Sequence, residues 1–172
     1  MSNNLYTLAA IGATFRPKKN MITLFNGTGS GKVLKVWKVW ILNNQSVAIT
    51  GIISEMRLYR ITSTGGGSAL TPVKHNYSVP SLPSQVVAAE GATNLLSTMF
   101  RRLVWSTEEP VATASNSNVI ELVPRWNRLW ETSIDQTNLE PIVLNEGQGV
   151  CVYFATTSSV GQADFFMEFT AV

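Results

Sequence analysis

The stretch Phe25-Asn26-Gly27-Thr28-Gly29-Ser30-Gly31-Lys32-Val33 carries the residue types that can cradle a phosphate. In a Walker A loop, glycine-rich backbone amides face the phosphates, a Lys reaches the outer ones and a Ser or Thr hydroxyl holds magnesium. Here Asn26 stands where the first Gly is required, and Val33 stands where the hydroxyl is required. The context differs too. A phosphate loop opens a helix, whose N-terminal amides point at the anion. Residues 33–42 instead read Val-Leu-Lys-Val-Trp-Lys-Val-Trp-Ile-Leu, β-branched and aromatic in the manner of a long strand. The spacing therefore predicts a glycine-rich turn between two strands, with its hydroxyls and Lys32 facing solvent or a neighbouring subunit.

Other candidate chemistry is sparse. His75 is the only histidine, so a Ser-His-Asp triad or a zinc site would have to use it. It has no Cys or carboxylate at ligand spacing and reads as a solvated loop residue. Glu108 and Glu109 are adjacent, and neighbours in an extended chain point to opposite sides. They read as a solvated turn before Pro110. A glycosidase would need clustering among Glu121, Glu131, Asp135 and Glu140 beside Trp126 or Trp130. Lys32, Lys35 and Lys38 interleave with Trp37 and Trp40, a combination that single-stranded nucleic-acid sites use. Strict alternation puts Lys32 and Lys38 on one face and Lys35 on the other, so no basic stripe forms. No catalytic residue, cofactor or metal site is expected, and no nucleic-acid partner.

The 172 residues suit a single domain with an arm. One cysteine, Cys151, excludes an intrachain disulfide. No signal peptide is expected from the opening residues, and no run approaches the ~18 apolar residues of a membrane span. Charged residues make up 14% of the chain and the net charge is +2. The charge is unevenly spread. Residues 1–75 hold nine Lys/Arg and one acid, Glu55, whereas residues 76–172 hold four Arg and ten acids. Such a split either smooths out as strands interleave or sets a basic face of one copy against an acidic face of a partner.

Along the chain, residues 1–20 read as an N-terminal arm. Its basic residues Arg16, Lys18 and Lys19 are the candidate partner contacts. Residues 21–172 read as one domain. Strands are expected at 21–25, 32–42, 47–62, 99–105, 119–123, 126–130, 141–144, 150–156 and 164–172, with an edge strand at 69–75. Residues 85–90 could make a helical turn before Gly91. Gly-, Asn- and Pro-rich turns separate these runs, and no long helix is expected. This is the pattern of an all-β, antiparallel β-sandwich. The long connections at 75–98 and 106–118 favour a jelly-roll or Greek-key topology. Several strands are apolar on both faces, which calls for a second covering surface; a homo-oligomer provides one.

Four segments resemble those of tailed-bacteriophage head decoration, or cement, proteins of jelly-roll type. They are residues 24–33, residues 58–62 leading to Thr71-Pro72-Val73-Lys74-His75, residues 100–107, and Leu144-Asn145-Glu146-Gly147-Gln148-Gly149-Val150. The resemblance implies a non-enzymatic virion protein made in the host cytoplasm. It implies a homo-oligomer, a trimer, on the capsid surface, clamping neighbouring major capsid subunits. The alternative is a tail, neck or host-binding β-sandwich protein that recognises carbohydrate.

Overall fold

Strand-forming runs dominate the chain, and the computed structural model bears this out over residues 4–44, 53–106, 126–132, 140–157 and 161–172, which are the residues it describes. Among the described residues twelve strands form: β1 (Leu5–Thr14), β2 (Asn20–Asn26), β3 (Leu34–Asn43), β4 (Ile53–Ile61), β5 (Ser68–Ala69), β6 (Val73–Lys74), β7 (Val86–Glu90), β8 (Leu96–Ser106), β9 (Trp126–Glu131), β10 (Ile142–Leu144), β11 (Gln148–Phe154) and β12 (Gln162–Ala171). Among the described residues no helix is long and apolar enough to cross a membrane.

Two antiparallel sheets share the strands. One runs β10-β3-β12-β1-β6, with β9 on the same edge of β3 as β10; the other runs β5-β7-β2-β11-β4-β8. From β1 to β4 the chain changes sheet at every step, and it does so again from β8 to β9 and from β10 to β12. That alternation is a jelly roll: β1-β12-β3-β9/β10 facing β2-β11-β4-β8. The fold class is thus the β-sandwich expected from the sequence. β9 and β10 are one edge strand in two pieces, since Glu131 pairs with Lys38 and Ile142 with Val36.

The core lies between the sheets. Phe165, Met167 and Phe169 of β12 point inward and are fully buried, as are Leu24, Leu58, Val150 and Val152 of the facing sheet. Tyr6 stacks on Phe169 with ring centroids 5.3 Å apart, and Phe15 stacks on Phe154 at 5.0 Å.

Three expectations need correction. The arm expected at 1–20 contains a strand of the sandwich: Leu5–Thr14 is β1, hydrogen-bonded to β12 on one side and β6 on the other. Its alternating Tyr6, Leu8 and Ala10 are buried in the core, and a strand with an apolar face gains most by joining the sheet. Residues 86–90 form β7, not a helical turn, because Thr23–Asn26 of β2 offers them a partner edge. The third concerns β3. Phe169 pairs with Val36 and Glu168 with Lys38, so Trp37 has no opposite partner. This bulge changes the alternation. Leu34, Val36, Val39 and Ile41 all point inward, leaving Lys35, Lys38 and Trp40 together on the outer face. The lysines at 35 and 38 are therefore not split. The expected strand at 119–123 lies outside the described residues.

Candidate functional site

The glycine-rich loop between β2 and β3 connects opposite sheets and binds an anion, but the anion is its own. The Glu146 carboxylate accepts the backbone N–H of Gly29 at 3.0 Å and that of Gly31 at 2.7 Å. Both glycines have positive φ, +81° and +62°, which turns their amides toward one point. The Gly29 bond, then the Gly31 bond, hold the Glu146 carboxyl below the usual carboxylate range. A nucleotide phosphate would meet that charge. Asn26, where a phosphate loop needs Gly, is fully buried and ties the loop closed. Its Nδ2 donates to the carbonyls of Lys32 (2.7 Å) and Leu144 (3.1 Å), and its Oδ1 accepts the Ser30 hydroxyl at 2.6 Å. Ser30 is thus buried, not turned to solvent as expected. The loop is a structural latch.

Arg16, Lys18 and Lys19 lie in the β1–β2 turn at one end of the sandwich, exposed but engaged within the chain. Lys19 N–H donates to the Arg16 carbonyl, closing the turn at 3.2 Å. Pro17 sits second in it and Lys18 has φ +59°, the pattern of a type II turn. Arg16 is 3.5 Å from Glu90, Lys18 Nζ donates to the Ala155 carbonyl at 2.9 Å, and Lys19 Nζ donates to Thr93 Oγ1 at 2.7 Å.

Among the described residues the remaining reactive groups do not assemble into a catalytic set. His75 Nε2 is 2.7 Å from Thr7 Oγ1 on the surface. Burial pushes the Cys151 thiol far up, so it keeps its proton and is no nucleophile. Among the described residues no group of three or more His, Cys, Asp or Glu could hold a metal ion. Glu121 and Asp135 lie outside the described residues, as do Glu108 and Glu109, and Glu140 is exposed.

A concave region with charged and aromatic walls runs along β9, the edge of its sheet, toward β8, the edge of the other. A cleft of about 410 Å³ is lined by Lys38, Trp40, Arg128, Trp130 and Glu131. A second of about 240 Å³ shares Arg128, Trp130 and Glu131 with it and adds Arg101 and Arg102. Two bulges make it. The one at Trp37 brings Lys38 and Trp40 to the outer face. The one between Val39 and Trp40 on the β9 side puts Leu129 in the core and leaves Trp130 at its margin. Trp130 lies 5.9 Å from the Phe100 ring, and the Arg101 guanidinium sits 5.8 Å over the Trp130 ring. Arg128 pairs with Glu131 at 2.6 Å and Lys38 with Glu168 at 3.5 Å. Glu55 lies 3.8 Å from Arg102 and is held below the usual range first by its hydrogen bond from Arg57. Sequence reasoning missed this site, because only the bulges and the meeting of two distant edge strands assemble it. The Arg101-Arg102 pair before Trp105 was the one local hint.

In comparison with known proteins, the chain matches no family model, no curated protein and no solved structure. What fold and site together define is a jelly-roll β-sandwich with a basic, tryptophan-lined cleft at one edge.

Proposed function

We propose that this chain is a non-enzymatic virion protein that binds the outside of a bacteriophage capsid and clamps its major capsid subunits, acting as a homotrimer. The observation that carries the reading is the edge strand β8. It ends its sheet, with β4 on one side and no strand on the other among the described residues. Leu95 just before it, and Leu96, Met99 and Val104 on it, are 37–68% exposed. A long edge strand with clustered apolar side chains is a surface that another chain covers. Such a protein works by burying surface on an assembled shell, and preferential binding to the shell stabilises it by mass action. The segmental resemblance to cement proteins points to the same role.

Purified protein is expected to co-sediment with expanded capsids. The triple variant Leu95→Ser, Met99→Ser, Val104→Ser should keep its melting temperature, because all three side chains are exposed, and lose about tenfold or more in affinity. Wild-type protein that stays in the supernatant, or a variant that binds as well as wild type, contradicts the proposal.

A further inference from the structure

We propose that the loop from Lys74 to Ser81 is a second protein contact, in which Tyr77 inserts into a pocket of a major capsid subunit beside the one that β8 covers. This rests on the capsid-binding reading and deepens it. A clamp holds two subunits only if it carries two separate contact surfaces.

The two surfaces stand on opposite flanks of the sandwich. β8 ends its sheet on the flank where it meets β9. β6 ends the other sheet at the far edge, beyond β1, and there β1 faces β2 and β7. The loop leaves β6 and returns the chain to β7, so it lies on that second flank.

The loop is fixed at its stems and bare at its tip. On the incoming side the His75 N–H donates to the Leu5 carbonyl at 3.0 Å, and His75 Nε2 is 2.7 Å from Thr7 Oγ1. On the outgoing side Val79 is buried in the core, and the Pro80 carbonyl accepts the Tyr6 hydroxyl at 2.8 Å. Lys74 Nζ donates to Ser81 Oγ at 3.2 Å and ties the stems together. Between them the Val79 N–H donates to the Asn76 carbonyl at 3.0 Å. Asn76 Oδ1 accepts the Ser78 N–H at 3.0 Å and the Ser78 hydroxyl at 2.6 Å. This is a β-turn reinforced by an Asx turn, with Tyr77 at its first corner. Tyr77 is 96% exposed. A ring carried on a backbone already ordered gives up little freedom on binding, because tyrosine has few torsions left to fix.

The chemistry of the tip selects its occupant. Tyr77 offers an apolar ring that ends in a hydroxyl. Asn76 and Ser78 flank it with small polar groups, a composition that protein-recognition loops share. The Lys74 ammonium has three N–H groups, of which Ser81 takes one. The matching surface is a protein pocket that is apolar at its base and rimmed by carbonyl or carboxylate oxygens. The same loop of a second copy matches less well, since a two-fold axis would set one Lys74 against the other. A sugar matches less well too, since small ligands need a concave seat and this tip projects.

The test is co-sedimentation with expanded capsids over a concentration series, using wild type, Tyr77→Ser and Tyr77→Phe. Tyr77→Ser should weaken binding about tenfold or more, as loss of an aromatic anchor implies. Tyr77→Phe keeps the ring and should lose clearly less. Both should keep the wild-type melting temperature, which is checked alongside, because the side chain is exposed. A photoreactive side chain placed at position 77 should cross-link the chain to the major capsid subunit. Tyr77→Ser binding as tightly as wild type, Tyr77→Phe binding as weakly as Tyr77→Ser, or a cross-link to another copy or to nothing overturns this inference and leaves the capsid reading standing. Wild-type protein that stays in the supernatant overturns both.

Discussion

Replacing Phe169 by Ala is expected to lower the unfolding free energy by about 3–5 kcal/mol, a large part of the roughly 5–15 kcal/mol that holds a domain folded. Phe169 is fully buried at the middle of the sheet, paired with Tyr6 on one side and Val36 on the other. Its ring stacks on Tyr6 at an interplanar angle of 17°. Tyr6 cannot move to fill the gap without releasing its hydroxyl bond to the Pro80 carbonyl, 2.8 Å long. That bond also pins the crossing loop over the sheet edge. A cavity therefore remains, and the lining atoms lose their contacts outright. Urea unfolding should show a lower midpoint with an unchanged slope. Phe166→Ala, three residues away on the outer face and half-buried, should lose far less. Equal losses at the two positions would mean that the faces of β12 have been assigned wrongly.

The second large effect is expected at Asn26. Asn26→Ala removes two donors and one acceptor from a fully buried position. The carbonyls of Lys32 and Leu144 and the hydroxyl of Ser30 lose their partner together. One buried polar group left unsatisfied costs about 1–3 kcal/mol, so a loss of about 3 kcal/mol is expected. Asn26→Asp should be no better, because it brings a charge and an oxygen against two carbonyl oxygens. Lys32→Ala is the contrast. The Lys32 carbonyl takes part in the latch but its side chain does not, and an ordinary surface change stays within about 0.5 kcal/mol. Thermal or urea unfolding of the three variants checks this. An Asn26→Ala protein as stable as Lys32→Ala would show that the loop is not held through this side chain.

These two residues mark what the sequence makes legible and what it hides. The alternation of β12, with Phe165, Met167 and Phe169 against Phe166 and Glu168, is readable because nothing interrupts its period of two. The same reasoning fails on β3, where one bulged residue, Trp37, moves Lys38 and Trp40 to the other face. A bulge is set by pairing with β12, and that pairing joins residues about 130 positions apart in sequence. β1 was hidden for a related reason. Its Gly12 and run of alanines look weak as a strand, yet its pairing with β12 supplies the backbone bonds, and the buried Asp164 accepts the Gly12 N–H at 2.7 Å. The latch was half legible. Positive φ at Gly29 and Gly31 follows from residue type, but the anion that fills the loop, Glu146, comes from a turn more than a hundred residues on. The cleft was not legible, since it needs both bulges and two edge strands from different sheets.

The central claim, that this sandwich works as a capsid-bound structural protein, is tested most directly by imaging assembled particles by electron microscopy, with and without the chain. The account predicts added density of jelly-roll size on the outer capsid surface, with the β8 edge against the major capsid subunits, and its loss when the chain is omitted. Density confined to the tail or neck, or particles identical in both samples, would contradict it.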